Sequence, residues 1–148
     1  MPGFSGSYCL RKDTLQLAST QNGMHFALGY DAALVNENLP EFVVDQMKKR
    51  YNLEAATVGI LGMAFKGNTD DTRDSLSYRM RKILKVECKK VLCHDPYVKD
   101  PEFIPSLSEM LHRCQILIIM TLHDEYKTLP PGKNIIDIWN FLGRGTGL

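Results

Sequence analysis

The order of apolar runs and helical repeats after residue 55 constrains this chain more than any other feature. Thr57-Val58-Gly59-Ile60-Leu61 is short and apolar, as a buried strand is. Ser75 to Lys85 carries Leu76, Tyr78, Met80, Ile83 and Leu84 on or near one helical face. Lys90 to Cys93 predicts a second strand, ending at His94-Asp95-Pro96. Ser106 to Arg113 predicts a helix, since Ser106 can cap its start and Glu109 follows three residues on. Gln115 to Thr121 and Asn134 to Ile138 predict two more strands, with a short helix over His123 to Lys127 between them. Such alternation, with near-continuous apolar strands, implies an α/β fold with a parallel sheet covered on both faces. Ligands on such sheets sit beyond the carboxyl ends of the strands. The loops that matter are therefore 62–75, 94–100, 121–124 and 138–141.

The chain divides near residue 55, and the first part reads as all-helical. A loop over about 2–12 leads into a short helix from Asp13 to Gln21, with Gly23 as a breaker. Asp31 to Tyr51 has apolar residues at Leu34, Val35, Leu39, Phe42, Val43, Met47 and Tyr51, the spacing of an amphipathic helix. Pro40 is expected to break or kink it. Such a helix must pack on the rest of the chain or on a second copy. The basic run Lys48-Lys49-Arg50 suits its C-terminal turn. The three-glycine tail from Gly143 to Leu148 is expected to fray.

Composition excludes several partners. A formal net charge of +1 over 148 residues gives no electrostatic case for nucleic acid or an anionic membrane. The longest apolar run, Ile116 to Met120, is the length of a strand and far short of a membrane span. Met1-Pro2-Gly3-Phe4 is neither basic nor followed by a long apolar region, so a secretory signal is not expected. Cys9, Cys88, Cys93 and Cys114 are irregularly spaced without a C-x-x-C pair, so neither a metal site nor a disulfide framework is expected, and a reducing cytoplasm is the default. Histidines 25, 94, 112 and 123 are scattered and read as packing or surface residues. Trp139 reads as a core anchor, with a base-stacking platform as the alternative.

Two segments carry chemistry. Gly3-Phe4-Ser5-Gly6-Ser7-Tyr8-Cys9 places a thiol at the end of a glycine- and serine-rich turn, with Lys12 and Asp13 three and four residues later. A nearby cation and a helix start favour the nucleophilic thiolate, and Asp13 can handle a proton or a water. A surface turn with a small buried cysteine is the simpler alternative. The second segment, Gly62 to Ser75, leaves a strand and enters a helix. Its glycines do not make G-x-G-x-x-G, and no Gly-Lys-Ser/Thr is present. It offers Lys66 and Arg73 to an anion beside a helix start, although a solvated loop with a capped helix explains most of it.

Taken together, these segments resemble the nucleotide-sugar dehydrogenase family, the UDP-glucose and GDP-mannose dehydrogenases. That family carries G-F-G-G-S-C-x-x-K-D around a catalytic cysteine and G-x-A-F-K-x-x-T-D-D-x-R-x-S at the start of a C-terminal nucleotide-binding domain. Gly62, Ala64, Phe65, Lys66, Thr69, Asp70, Asp71, Arg73 and Ser75 fit the second pattern. Asp95-Pro96 and Thr121-x-His123 look like the family too. The resemblance implies a catalytic-cysteine loop and central dimerisation helices over 1–55, and a Rossmann-like, UDP-binding domain over 56–148.

It also implies roles. Cys9 matches the nucleophile that captures an aldehyde intermediate and carries the thioester, and Asp13 the carboxylate that assists hydrolysis, with Lys12 beside them. Gly3, Phe4, Ser5, Gly6 and Ser7 would line the nucleotide-sugar site, and Phe65 and Lys66 would contact the ligand. Arg73 would reach towards NAD. The implied partners are a UDP- or GDP-sugar and, through the segment 31–51, a second copy of the chain; the uronic acid product would serve polysaccharide biosynthesis. Three departures stand out. The loop is one residue longer at Tyr8, and Ser5 replaces a glycine. Trp139 stands where UDP-glucose dehydrogenases often have an arginine. The N-terminal NAD-binding domain is not represented, so the chain reads as a portion expected to be inactive by itself. A non-catalytic nucleotide-sugar-binding or dimerisation module is the alternative.

Overall fold

The computed structural model describes residue 4, residues 8–20 and residues 27–148. Two helices, α1 (Tyr8–Thr20) and α2 (Ala27–Arg50), precede an alternating series: β1 (Thr57–Leu61), α3 (Leu76–Glu87), β2 (Lys90–His94), α4 (Leu107–Arg113), β3 (Ile116–Ile119) and β4 (Asn134–Ile136). The four strands form one parallel sheet in the order β2-β1-β3-β4. The parallel sheet with flanking helices is the architecture expected from the alternation.

The strand period of two divides the core. Val58, Ile60, Cys93, Ile116 and Ile118 join α2 and α3 on one face. Leu61, Leu92, Leu117 and Ile119 meet Met110, Cys114 and Tyr126 on the other. Gly59 sits on this second face because a Cβ there would stand only 2.7 to 2.8 Å from Leu117, Cys114 and Met110. The helix starts follow the capping chemistry. Ser75 Oγ accepts from the Ser77 amide, and Ser106 Oγ from the Glu109 amide.

Several boundaries differ from the expectations. The segment 2–12 is not wholly a loop, because α1 begins at Tyr8 and takes in Cys9 and Asp13. The glycine and serine run ends at Ser7, and the residues after it favour helix. Pro40 does not break α2, which runs from Ala27 to Arg50 with Pro40 buried inside it. Packing of Pro40, Val43, Val44 and Met47 offsets the missing amide of a single residue. The strands are shorter than the apolar runs suggest, since β3 stops at Ile119 and β4 at Ile136. The short helix after β3 is a 3-10 turn over Asp124–Thr128. The C-terminal tail is docked and not frayed. The Thr146 carbonyl accepts from the Asp137 amide, and Leu148 packs on the core. Gly23 and His25 lie outside the described residues.

Candidate functional site

Three loops leave the carboxyl ends of β1, β2 and β3 side by side, and one buried carboxylate joins them. Asp95, just past β2, accepts on Oδ2 from the backbone amides of Met63 (2.6 Å) and Ala64 (3.1 Å) and from His123 Nε2–H (3.1 Å). Its Oδ1 accepts from the amides of Tyr97 (2.8 Å) and Val98 (2.9 Å). Burial alone would raise the Asp95 pKa. The hydrogen bonds from His123 and these amides outweigh it and hold the carboxyl far below the usual carboxylate range.

His123 completes the junction from the β3 side. Its Nδ1 accepts from the Asn68 amide at 3.0 Å, so the proton resides on Nε2, facing Asp95. Asn68, in the left-handed region at φ 57°, exchanges two hydrogen bonds with Asp124. The Ala64 carbonyl accepts from Thr121 Oγ1 (2.6 Å) and Ser75 Oγ (3.2 Å). Gly67 lies against the Leu122 carbonyl so closely that a Cβ would overlap it. Nearby, His94 Nδ1 donates to the Tyr126 hydroxyl (3.1 Å), which donates to the His94 carbonyl (3.0 Å). Burial lowers the His94 pKa and raises that of Tyr126.

Of the residues proposed from sequence, Phe65 and Lys66 lie on the segment that this junction anchors. Phe65 is half-buried and Lys66 exposed, on the segment between the Ala64 and Asn68 anchors. Phe4 is buried edge-on to Trp139, with ring centroids 6.3 Å apart, and shares a small crevice with Ala64, Phe65 and Ser75. Trp139 donates from Nε1 to the Met120 carbonyl and packs on both core clusters, as an anchor does. Gly3, Ser5, Gly6 and Ser7 lie outside the described residues. Cys9, Lys12 and Asp13 are exposed on α1, three and four residues apart and hence on one helical face. Lys12 Nζ stands 3.5 Å from Asp13 Oδ1. Arg73 is exposed, and its Nε and NH2 grip both oxygens of Asp71. The paired guanidinium holds the Asp71 carboxyl at about 2.

Sequence reasoning passed over Arg11. Its Nε lies 3.2 Å from Glu37 on α2 and its NH1 3.3 Å from Asp74, ahead of α3. Arg79 on α3 continues the chain of charges to Glu37 and Glu41. Arg11 therefore ties the cysteine helix to the loop that carries Lys66 and Arg73. The roles of Asp95 and His123 were also missed. Their signal was position: Asp95 directly follows β2, and His123 lies in the loop after β3, at the strand ends where ligands on such sheets sit.

The β1–α3 turn does not fit a dinucleotide pyrophosphate. The Met63 and Ala64 amides, which would cradle a phosphate in such a turn, already donate to Asp95. Among the described residues no group of three or more His, Cys, Asp or Glu side chains could hold a metal ion, and no helix is long and apolar enough to cross a membrane.

Fold and loop cluster define an α/β protein whose ligand side is the carboxyl end of a parallel sheet. The chain belongs to the UDP-glucose/GDP-mannose dehydrogenase family: the family's UDP binding domain matches residues 59–144. The UDP-N-acetyl-D-mannosamine dehydrogenase of Methanocaldococcus jannaschii is 34% identical over 122 residues, covering 74% of this chain and 29% of that protein. A solved UDP-D-ManNAc dehydrogenase from Pyrococcus horikoshii superposes with a TM-score of 0.83 at 31% identity, covering 95% of this chain and 36% of its own. A UDP-glucose dehydrogenase from Pyrobaculum islandicum gives 0.80 at 30% identity, covering 92% and 34%. This chain spans about three tenths of the length of the curated relatives it matches. The family implied by the Gly3–Asp13 and Gly62–Ser75 motifs is the one found.

Proposed function

We propose that this chain is the catalytic-cysteine and nucleotide-sugar portion of an NAD-dependent nucleotide-sugar 6-dehydrogenase, which oxidises a UDP- or GDP-hexose to its uronic acid. The observation that carries this reading is the convergence of the two motifs. Phe4 shares a crevice with Phe65, and Arg11 reaches Asp74, so the segments that carry the two motifs pack against one another. Residues 1–55 then serve as the cysteine segment and central helices, and residues 56–148 as the nucleotide-sugar domain.

In this reading Phe65 and Lys66 hold the nucleotide-sugar. Lys66 supplies positive charge to the diphosphate. Cys9 Sγ, in the first turn of α1, adds to the aldehyde carbon of the half-oxidised sugar. Asp13, one turn further on the same face, accepts a proton from the water that releases the acid from the Cys9 thioester. Lys12 offsets the charge of that carboxylate. NAD supplies the oxidation, and we assign its binding mainly to protein outside these residues, with Arg73 at the border.

Calorimetric titration with UDP and with GDP tests the reading. Binding of UDP in preference to GDP is the expected result. A folded sample that binds neither overturns the nucleotide-sugar role.

A further inference from the structure

We infer that Asp95 and His123 are positioning residues for the nucleotide-sugar: a buried carboxylate–imidazole clamp holds the Met63–Asn68 segment and so fixes where Phe65 and Lys66 meet the ligand. The inference rests on the nucleotide-sugar reading of Phe65 and Lys66. Both side chains of the clamp are fully buried, so neither touches ligand itself. Their bonds lead to the loop that does. Asp95 Oδ2 takes the amides of residues 63 and 64 on one side of Phe65-Lys66, and His123 Nδ1 takes the amide of residue 68 on the other. The 3.1 Å bond between His123 Nε2–H and Asp95 Oδ2 closes the bracket.

Burying the Asp95 carboxylate is costly in desolvation, and its bonds and those of His123 to the amides of Met63, Ala64, Tyr97, Val98 and Asn68 offset that cost. Three of these bonds fall on loop amides on both sides of two ligand-side residues. What the polar pair adds is a single loop conformation. It orients the six-residue segment Met63–Asn68 without side chains of its own entering the ligand face. Gly67, pressed on the Leu122 carbonyl, removes the remaining freedom of that turn.

Three substitutions separate positioning from mere support. His123→Asn keeps an acceptor near the Nδ1 position, His123→Gln keeps a donor near the Nε2 position, and His123→Phe keeps the ring and neither bond. The chain is titrated with UDP by amide-resolved NMR, and hydrogen exchange is followed at Met63, Ala64 and Asn68. The expected result is weaker UDP binding by His123→Phe, by about tenfold, the scale of one lost hydrogen bond to a charged group. Exchange should be faster at Met63, Ala64 and Asn68 while the β1 and β3 amides are unchanged. The Asn and Gln variants should fall between, and they carry the test if His123→Phe does not fold. Folded variants that bind UDP within twofold of the natural chain overturn the clamp and leave the nucleotide reading standing. A natural chain whose Phe65 and Lys66 amides do not respond to UDP overturns that reading, and the clamp's purpose with it.

Discussion

Cys9 differs from the other three cysteines in its surroundings. It is exposed on α1, whereas Cys93 and Cys114 are buried and Cys88 is half-buried. Burial pushes the thiols of Cys88, Cys93 and Cys114 up to about 11. At pH 8 that leaves roughly one part in a thousand of each as thiolate, the reactive form. A thiol reagent should therefore modify Cys9 at least about tenfold faster than the others, and Cys9→Ser should abolish the fast phase. Equal rates for all four would remove the nucleophile assignment. Acid stability follows from two other residues. His94 is neutral in the fold because burial lowers its pKa below the usual value near 6.5, so its contribution is complete above that pH and is lost as pH falls through it. The Asp95 carboxyl is depressed, so its contribution persists to about pH 4 and is lost below. Melting temperatures should accordingly decline in two steps, one beginning as pH falls below about 6.5 and a second below about pH 4. His94→Gln should flatten the first step and leave the second. A single decline confined to pH below 4 would contradict the His94 part of this account.

At the scale of elements, the β1–α3 loop is held by contacts that leave no room for change. Gly67→Ala would drive a Cβ into the Leu122 carbonyl, which is backbone and cannot rotate away. The expected loss is about 1–3 kcal/mol, the range for inserted methyl groups in packed sites. Urea unfolding measures it, and a loss under about 0.5 kcal/mol would mean that the two loops do not meet as described. Long apolar runs made β1 through β4 legible in the sequence, because a buried parallel strand has no other use for Ile-Leu-Ile-Ile. Ser75 and Ser106 made two helix starts legible for the same local reason, a side chain that caps its own backbone. The start of α1 was not legible. Glycine and serine suggest a loop until the chain reaches Tyr8, and no local signal says how far that loop extends. Pro40 misled in the opposite direction, since burial against the core decided a point that propensity placed elsewhere. The motif residues of the site could be read from their pattern. The clamp could not, because Asp95 and His123 are 28 residues apart and only the sheet order brings β1 between β2 and β3 to join them.

For the whole molecule, α2 is the element whose apolar surface is not used up. Its C-terminal half buries Val43, Val44 and Met47 against the sheet domain. Towards its N-terminus, Leu28 is 80% exposed, Val35 71% and Phe42 55%. These three recur at intervals of seven and lie along one stripe of the helix. Asp31, Leu34, Val35, Asn38, Leu39 and Phe42 line a shallow groove beside it. The expectation that this helix packs on the chain or on a second copy is thus divided along its length, with one half inward and the other still open. Contiguous exposed apolar surface is where proteins associate, and the second copy of the chain that the family resemblance implies through residues 31–51 would cover it. Val35→Asp with Phe42→Asp should convert a dimer to a monomer in sedimentation velocity and leave the circular dichroism and the melting temperature of the sheet domain nearly unchanged, because neither side chain belongs to the core clusters. A natural chain that sediments as a monomer at every concentration would refute the dimer. A doubly substituted chain that remains dimeric would move the interface away from α2.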